Sequence, residues 1–292
     1  MRDVAKKHFL PYYCTMQTSN YYRKIIPPKS LIAIDFNELW RFKDLFYIFV
    51  WRDIKVRYKQ TILGIGWAIF QPLLTMVIFT VFFGRLAKMP SDNIPYPIFV
   101  YTGLLLWNYF ATALTNASNC LIENEGIVKK VYFPRLILPF SATLTPAIDF
   151  CFALIILFVL MFFFHFVPSI LGIVLIPALL IISFLSAVGL GLFCSAVNVK
   201  YRDVRYILPF FIQLFMFITP VIYPVSIIPQ KLQWLIFINP MAGVITLARS
   251  SLLHTAVVDW RLLAISLVSA LVLLFFGISY FRKTERFFAD VL

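Results

Sequence analysis

Between Gln60 and Gly84 the chain carries no charged side chain. That run exceeds the roughly 18 apolar residues that mark a membrane-crossing helix, and several later runs pass the same length. In lipid the backbone polar groups of such a segment must bond within it, so each run is expected to be helical. Composition agrees: 13% of the residues are charged and mean hydropathy is +0.87, whereas a soluble domain carries roughly 25% charged residues. The chain reads as an all-α integral membrane protein.

Spans are expected at about 62–83, 98–117, 138–164 and 171–197, with a fifth starting near Tyr206 and a sixth at about 262–281. Gln71-Pro72 sits inside the first and is expected to kink it. Pro146 and Asp149 interrupt the third. Pro220, Pro224 and Pro229 soon cut the fifth run, and the uncharged stretch from Leu232 to Leu247 is short and split at Asn239-Pro240. Irregular backbone at membrane depth is tolerated only when buried in protein or lining a cavity, so this broken segment is a candidate gate. If it crosses fully there are seven spans, and if it dips and returns there are six. With six, 21 of the 26 Lys and Arg fall on one side. The positive-inside rule then favours six spans, with both termini cytosolic.

Ahead of the domain at 61–281, residues 1–36 read as a cytosolic arm broken at Pro27-Pro28. Residues 37–60 read as an amphipathic interface helix. Leu39, Phe42, Phe46, Phe49 and Val50 recur at helical spacing, while Arg41, Asp44, Arg52, Lys55 and Lys59 mostly share the opposite face. Trp40 and Trp51 suit a helix lying in the membrane surface. Residues 282–292 form a cytosolic tail.

A net charge of +13 would point to nucleic acid in a soluble protein, but twelve of the 26 basic residues precede Ile62, so the charge encodes orientation and no nucleic-acid partner is expected. The four cysteines are far apart and form no CxxC pair. His8, His165 and His254 are isolated, and the sequence has neither HExxH nor Asp-x-Asp. No GxxxxGK[ST] loop is present to cradle ATP phosphates. Gly64-x-Gly66, at the start of the first span, reads as close helix packing. Catalytic, cofactor and metal sites are not expected in this chain. Transport is favoured over enzymatic chemistry.

Glu123 to Pro139 is a polar island within this apolar chain. Its core, Val128, Lys129, Lys130, Val131, Tyr132, Phe133, Pro134 and Arg135, combines charge with a stiff aromatic-proline step and is a candidate docking surface for another protein. A second island holds Lys200, Arg202, Asp203 and Arg205, a further contact with that partner or with anionic lipid.

Gly64-Ile65-Gly66-Trp67, Gln71-Pro72, Lys129 to Arg135 with Leu138-Pro139, Tyr201-Arg202-Asp203-Val204, Thr219 to Pro224, and Asn239-Pro240-Met241 with Arg249 together resemble the membrane subunit of ABC-2 type exporters, more narrowly the polysaccharide-exporting branch. The resemblance runs from about Leu31 to the C-terminus. It implies a homodimer of six-helix permeases with two copies of a separate cytosolic ABC ATPase, which would hold ATP and Mg. It also implies a coupling helix in the Glu123–Arg135 loop, and re-entrant gate helices on the outer side between spans five and six. The implied substrate is a lipid-linked glycan of O-antigen, capsule or teichoic acid type, moved outward across the cytoplasmic membrane.

On that reading Trp107, Tyr109, Phe110, Tyr223 and Trp234 are candidate path residues, because aromatic faces stack on sugar C–H surfaces. Asp149, an acid inside an apolar span, is a functional candidate facing a cavity or a second subunit. Arg41, Arg52, Lys55 and Arg57 are candidates for guiding a pyrophosphate head group, with attraction to membrane lipid as the plainer reading. Two readings stand as alternatives: an ABC-2 exporter of a small hydrophobic molecule or drug, and a membrane glycosyltransferase or polymerase acting on lipid-linked sugar. An assembly scaffold is a third.

Overall fold

The computed structural model describes residues 36–59, 64–92, 94–253 and 258–288, and every element in them is helical. The expected arm lies outside these residues except for Phe36, as do Cys14 and the last residues of the tail. α1 (Phe36–Arg41) and α2 (Lys43–Lys59) form the amphipathic segment, separated by a turn at Phe42. α3 (Gly64–Phe79) continues through Pro72 and passes into a π-helical stretch, Thr80–Leu86. Next to that proline, the Thr75 hydroxyl donates to the Gln71 carbonyl at 2.9 Å.

α4 (Tyr96–Glu123) is followed by the short α5 (Glu125–Val128). α6 (Ile137–Leu144) and α7 (Ala147–Phe163) are two halves of one apolar stretch, parted at Thr145-Pro146. α8 (Ile170–Lys200) and α9 (Val204–Ile218) lead to the broken segment of α10 (Gln230–Phe237) and α11 (Pro240–Leu253), and α12 (Trp260–Thr284) closes the bundle.

Among the described residues, five helical stretches are long and apolar enough to cross a membrane: Ile69–Leu86, α4, α6 with α7, α8 and α12. The fifth expected span is short, as its early cut at Pro220 implied. α9 has 15 residues, about 22 Å at the usual rise, against a hydrocarbon core of about 30 Å. α10 and α11 are bent against each other by 111°, so the chain doubles back here. Asn239 makes the corner: its side-chain carbonyl accepts from the Met241 N–H at 3.1 Å and its amide donates to the Thr219 hydroxyl at 2.8 Å. Asn before a proline at the first helical position is a strong helix start, since proline needs no N–H partner there.

α4 and α8 are the centre of the bundle, and α11 is buried almost throughout. α12 crosses α8 at a glycine pair. A Cβ on Gly277 would fall 2.0 Å from the Gly189 carbonyl oxygen, and one on Gly189 2.6 Å from the Leu273 carbonyl carbon. Among the described residues, nothing lies within 4 Å of the Cβ direction of Gly66, expected as a packing position.

α2 corrects part of the interface-helix expectation. Its apolar stripe is used inside the protein: Phe49 is buried with Phe133 (ring centroids 5.8 Å apart), and Leu39, Phe42 and Phe46 pack on the same cluster. The large apolar groups left exposed are Tyr47, Ile48, Trp51 and Val56.

Candidate functional site

The charged segments gather at one end of the bundle. Phe133 packs on Phe49 of α2, and the Tyr132 hydroxyl reaches Glu38 of α1 at 3.4 Å. Arg135 donates to the Glu285 carbonyl after α12 and lies 5.8 Å from the Phe288 ring. Phe288 is fully buried, edge-on to Phe281 at 5.1 Å. The bond from Lys129 holds the Glu125 carboxyl below the usual carboxylate range, with a smaller contribution from the Arg202 charge. The first and last described helices therefore touch the same loop.

Within that loop the residues divide by exposure. Val128, Phe133 and Pro134 are buried and fasten it to the bundle. Arg135 faces the C-terminal turn. Of the expected docking residues, Lys129, Lys130, Val131 (56% exposed) and Tyr132 (69% exposed) are the ones that stand out. The second island, Lys200, Arg202, Asp203 and Arg205, is exposed at the turn between α8 and α9.

From this end a polar groove runs up the side of α4. Most of α4 is buried, yet Asn108, Thr112, Thr115, Asn116 and Asn119 are half-buried and Glu123 is exposed, at spacings that place all six on one helical face. Asn119 turns to Asn198 of α8. Four of the others line a cleft of about 350 Å³ with Gln71 of α3, Asp149 of α7 and Ile212 of α9. A second cleft of about 450 Å³ lies between α2, α4 and α6, with Arg52, Asp53, Glu123 and Asn124 in its wall. Arg57 and Asn116 line both, so the two clefts adjoin. This stripe escaped the sequence reading, which attended to the aromatic neighbours. The i, i+4, i+7, i+8, i+11 recurrence of Asn and Thr was the available signal.

Asp149 pairs within the chain. One carboxylate oxygen takes the Arg57 guanidinium and the other accepts the Tyr58 hydroxyl, joining the last turn of α2 to the first turn of α7. Burial, then the bond to Asp149, pushes the Tyr58 hydroxyl above its ordinary pKa. The pair is partly exposed to the groove, so its net worth is about 1 kcal/mol. In a double-mutant cycle, Arg57→Ala and Asp149→Asn are each expected to lower the melting temperature, with a coupling of about that size. Additive effects would mean that the two side chains do not bond in solution.

The other expected residues fall apart. Arg52 lines the groove, paired with Asp53 at 2.7 Å, whereas Arg41 and Lys55 are exposed on the outer side of α1 and α2. Tyr109 lines the polar cleft, its ring edge-on to Phe150. Trp107 and Phe110 face instead an apolar cavity of about 680 Å³ between α4, α8, α9 and the α10–α11 corner. Tyr223 lies in the loop after α9, and Trp234 is exposed on α10. The five aromatic candidates do not form one surface.

The loop Thr219–Pro224, at the opposite end, is held by a residue noted in the sequence only as part of a motif. Arg249 of α11 is 4% exposed and donates to the carbonyls of Phe99 (3.1 Å), Pro220 (2.6 Å), Val221 and Tyr223 (3.3 Å). Its guanidinium stacks 3.6 Å from the Phe99 ring centroid. Tyr96 adds a hydrogen bond to the Ile222 carbonyl at 2.9 Å.

The profile of the ABC-2 type transporter family matches residues 44–253. A Klebsiella pneumoniae protein named O-antigen export system permease protein RfbA is 30% identical over 249 residues, 85% of this chain and 95% of that protein. A Myxococcus xanthus protein of the same name is 29% identical over 257 residues, 87% of this chain and 97% of its own length. The Escherichia coli polysialic acid transport protein KpsM is 23% identical over 242 residues, 80% of this chain and 91% of that protein. A membrane bundle with this length of match, carrying the motifs on its loop, groove and corner, belongs to the ABC-2 type transporter family.

Proposed function

We propose that the chain is the permease subunit of an ATP-driven exporter of lipid-linked polysaccharide, resident in the cytoplasmic membrane with both termini on the cytosolic side. The observation that carries this reading is the Asn/Thr stripe along α4, whose amides and hydroxyls line two adjoining clefts in an otherwise apolar bundle. The O-antigen and polysialic acid names of the relatives support the substrate class. ATP and Mg belong to a separate ABC ATPase, two copies of which serve a homodimer of this chain. The open side of Gly66 on α3 and the largely exposed α9 are the faces on which the second copy would pack. α10 and α11 act as the re-entrant gate on the outer side.

In this assembly the exposed Val131 and Tyr132 are the tip that enters the ATPase, flanked by Lys129 and Lys130. Phe133 and Pro134 are the rigid root that carries the motion into α2 and α12. Lys200, Arg202, Asp203 and Arg205 add a second contact beside it. Arg41 and Lys55 stay at the membrane surface, where the lipid's pyrophosphate would meet them.

The test is co-purification. Wild type in mild detergent is expected to retain an ATPase. Val131→Asp with Tyr132→Ala should lose at least about tenfold of it while remaining monodisperse, as truncating a buried aromatic anchor at an interface typically does. An ATPase retained in full by this variant would refute the docking assignment. The apolar cavity beside Trp107 and Phe110 favours a second reading, export of a small hydrophobic molecule. Stimulation of the co-purified ATPase by hydrophobic drugs but not by lipid-linked glycan would select it.

A further inference from the structure

The charged side chains described in the groove leave one carboxylate in excess, and this bears on the kind of glycan it passes. Two cations line it, and each is already bonded to a carboxylate: Arg52 to Asp53 and Arg57 to Asp149. Glu123 adds a third carboxylate at the groove's open end. The remaining polar lining is amide and hydroxyl, and Tyr109 with Phe150 supplies aromatic surface. The exposed cations of the first helices, Arg41, Lys43, Lys55 and Lys59, lie outside it.

Resting on the proposed function above, we infer that this permease selects an uncharged glycan and excludes an acidic one. Amides and hydroxyls match the diols of neutral sugars, and an aromatic ring takes their C–H faces, without any charge on the substrate. A polymer bearing a carboxylate on each sugar meets no unpaired guanidinium in the groove and one carboxylate in excess. That like charge stands at the groove's exposed mouth, so it repels an acidic polymer most strongly at low salt. Selection here works by repulsion as well as by fit. The relatives include both an O-antigen permease and a polysialic acid transport protein, so the family alone leaves the choice open.

The experiment uses the full transporter, this chain with its ATPase subunit, in proteoliposomes. Two probes of equal length on the same lipid pyrophosphate are compared, a neutral hexose polymer and polysialic acid. The neutral polymer is expected to be moved at least about tenfold faster, the ratio that ~1.4 kcal/mol of extra repulsion produces. Glu123→Gln is expected to narrow that ratio, and an unchanged ratio would overturn the assignment of selectivity to this groove. Equal or faster movement of polysialic acid by wild type would overturn the inference while leaving glycan export intact. Movement of neither polymer, with the ATPase active, would overturn both.

Discussion

Arg249→Ala is expected to destabilise the protein by at least about 3 kcal/mol, the range for removing one member of a buried charged network. The guanidinium satisfies four carbonyls, those of Phe99, Pro220, Val221 and Tyr223. Among the described residues no carboxylate bonds to it, so its charge is held by carbonyl dipoles and the Phe99 ring. Alanine would leave those carbonyls without a donor at a depth where water is scarce, and each costs about 1–3 kcal/mol when orphaned. Arg249→Lys keeps the charge but replaces a planar five-donor fork with a compact ammonium, so an intermediate loss is expected. The measurement is the temperature at which detergent-solubilised protein loses its monodisperse peak. A midpoint for Arg249→Ala within a degree or two of wild type would mean that water already reaches the loop Thr219–Pro224. The arginine would then be a surface ornament of the gate and not its clamp.

The apolar runs made most of the bundle legible in advance, because length without charge is a direct physical demand of the bilayer. α4, α6 with α7, α8 and α12 begin and end within a few residues of the expected spans. The broken segment after α9 was also legible, since Pro220, Pro224 and Pro229 cannot continue a helix and Asn239-Pro240 starts a new one. What the pattern did not reveal was direction. Nothing in eight consecutive residues from Val128 to Arg135 says that Val128 and Phe133 point inward while Val131 and Tyr132 point out. That choice is made by Phe49 and Phe288, which come from distant parts of the chain. Arg249 was noted only as part of a motif, because its four acceptors depend on how the loop after α9 folds back. The groove lies between these cases. Its Asn and Thr recur on one face of α4 and were readable, but the pairing of Arg52 and Arg57 with Asp53 and Asp149 was not.

The second large effect concerns the α8–α12 crossing. Gly277→Leu is expected to cost at least about 3 kcal/mol and to abolish a stable bundle, at the upper end of what overpacking does. The reason is what the new Cβ meets. It would lie 2.0 Å from the Gly189 carbonyl oxygen and 2.9 Å from its carbon, which are backbone atoms of a buried helix and have no rotamer to change. The helices must separate, and α12 shares its longest contact with α8. Without a hydrophobic drive between helices in lipid, such close packing between small residues is a main source of association. Even Gly277→Ala carries the clashing atom and is expected to fall well below wild type in thermal stability. Gly66→Ala is the control, because among the described residues nothing lies within 4 Å of that position. It should be silent in a single copy or gain slightly from helix propensity, by less than about 1 kcal/mol. If Gly66→Ala instead lowers the yield of a dimeric species while the monomer melts normally, the α3 face is where two copies meet. If Gly277→Ala melts with wild type, α8 and α12 do not cross at the distance described here.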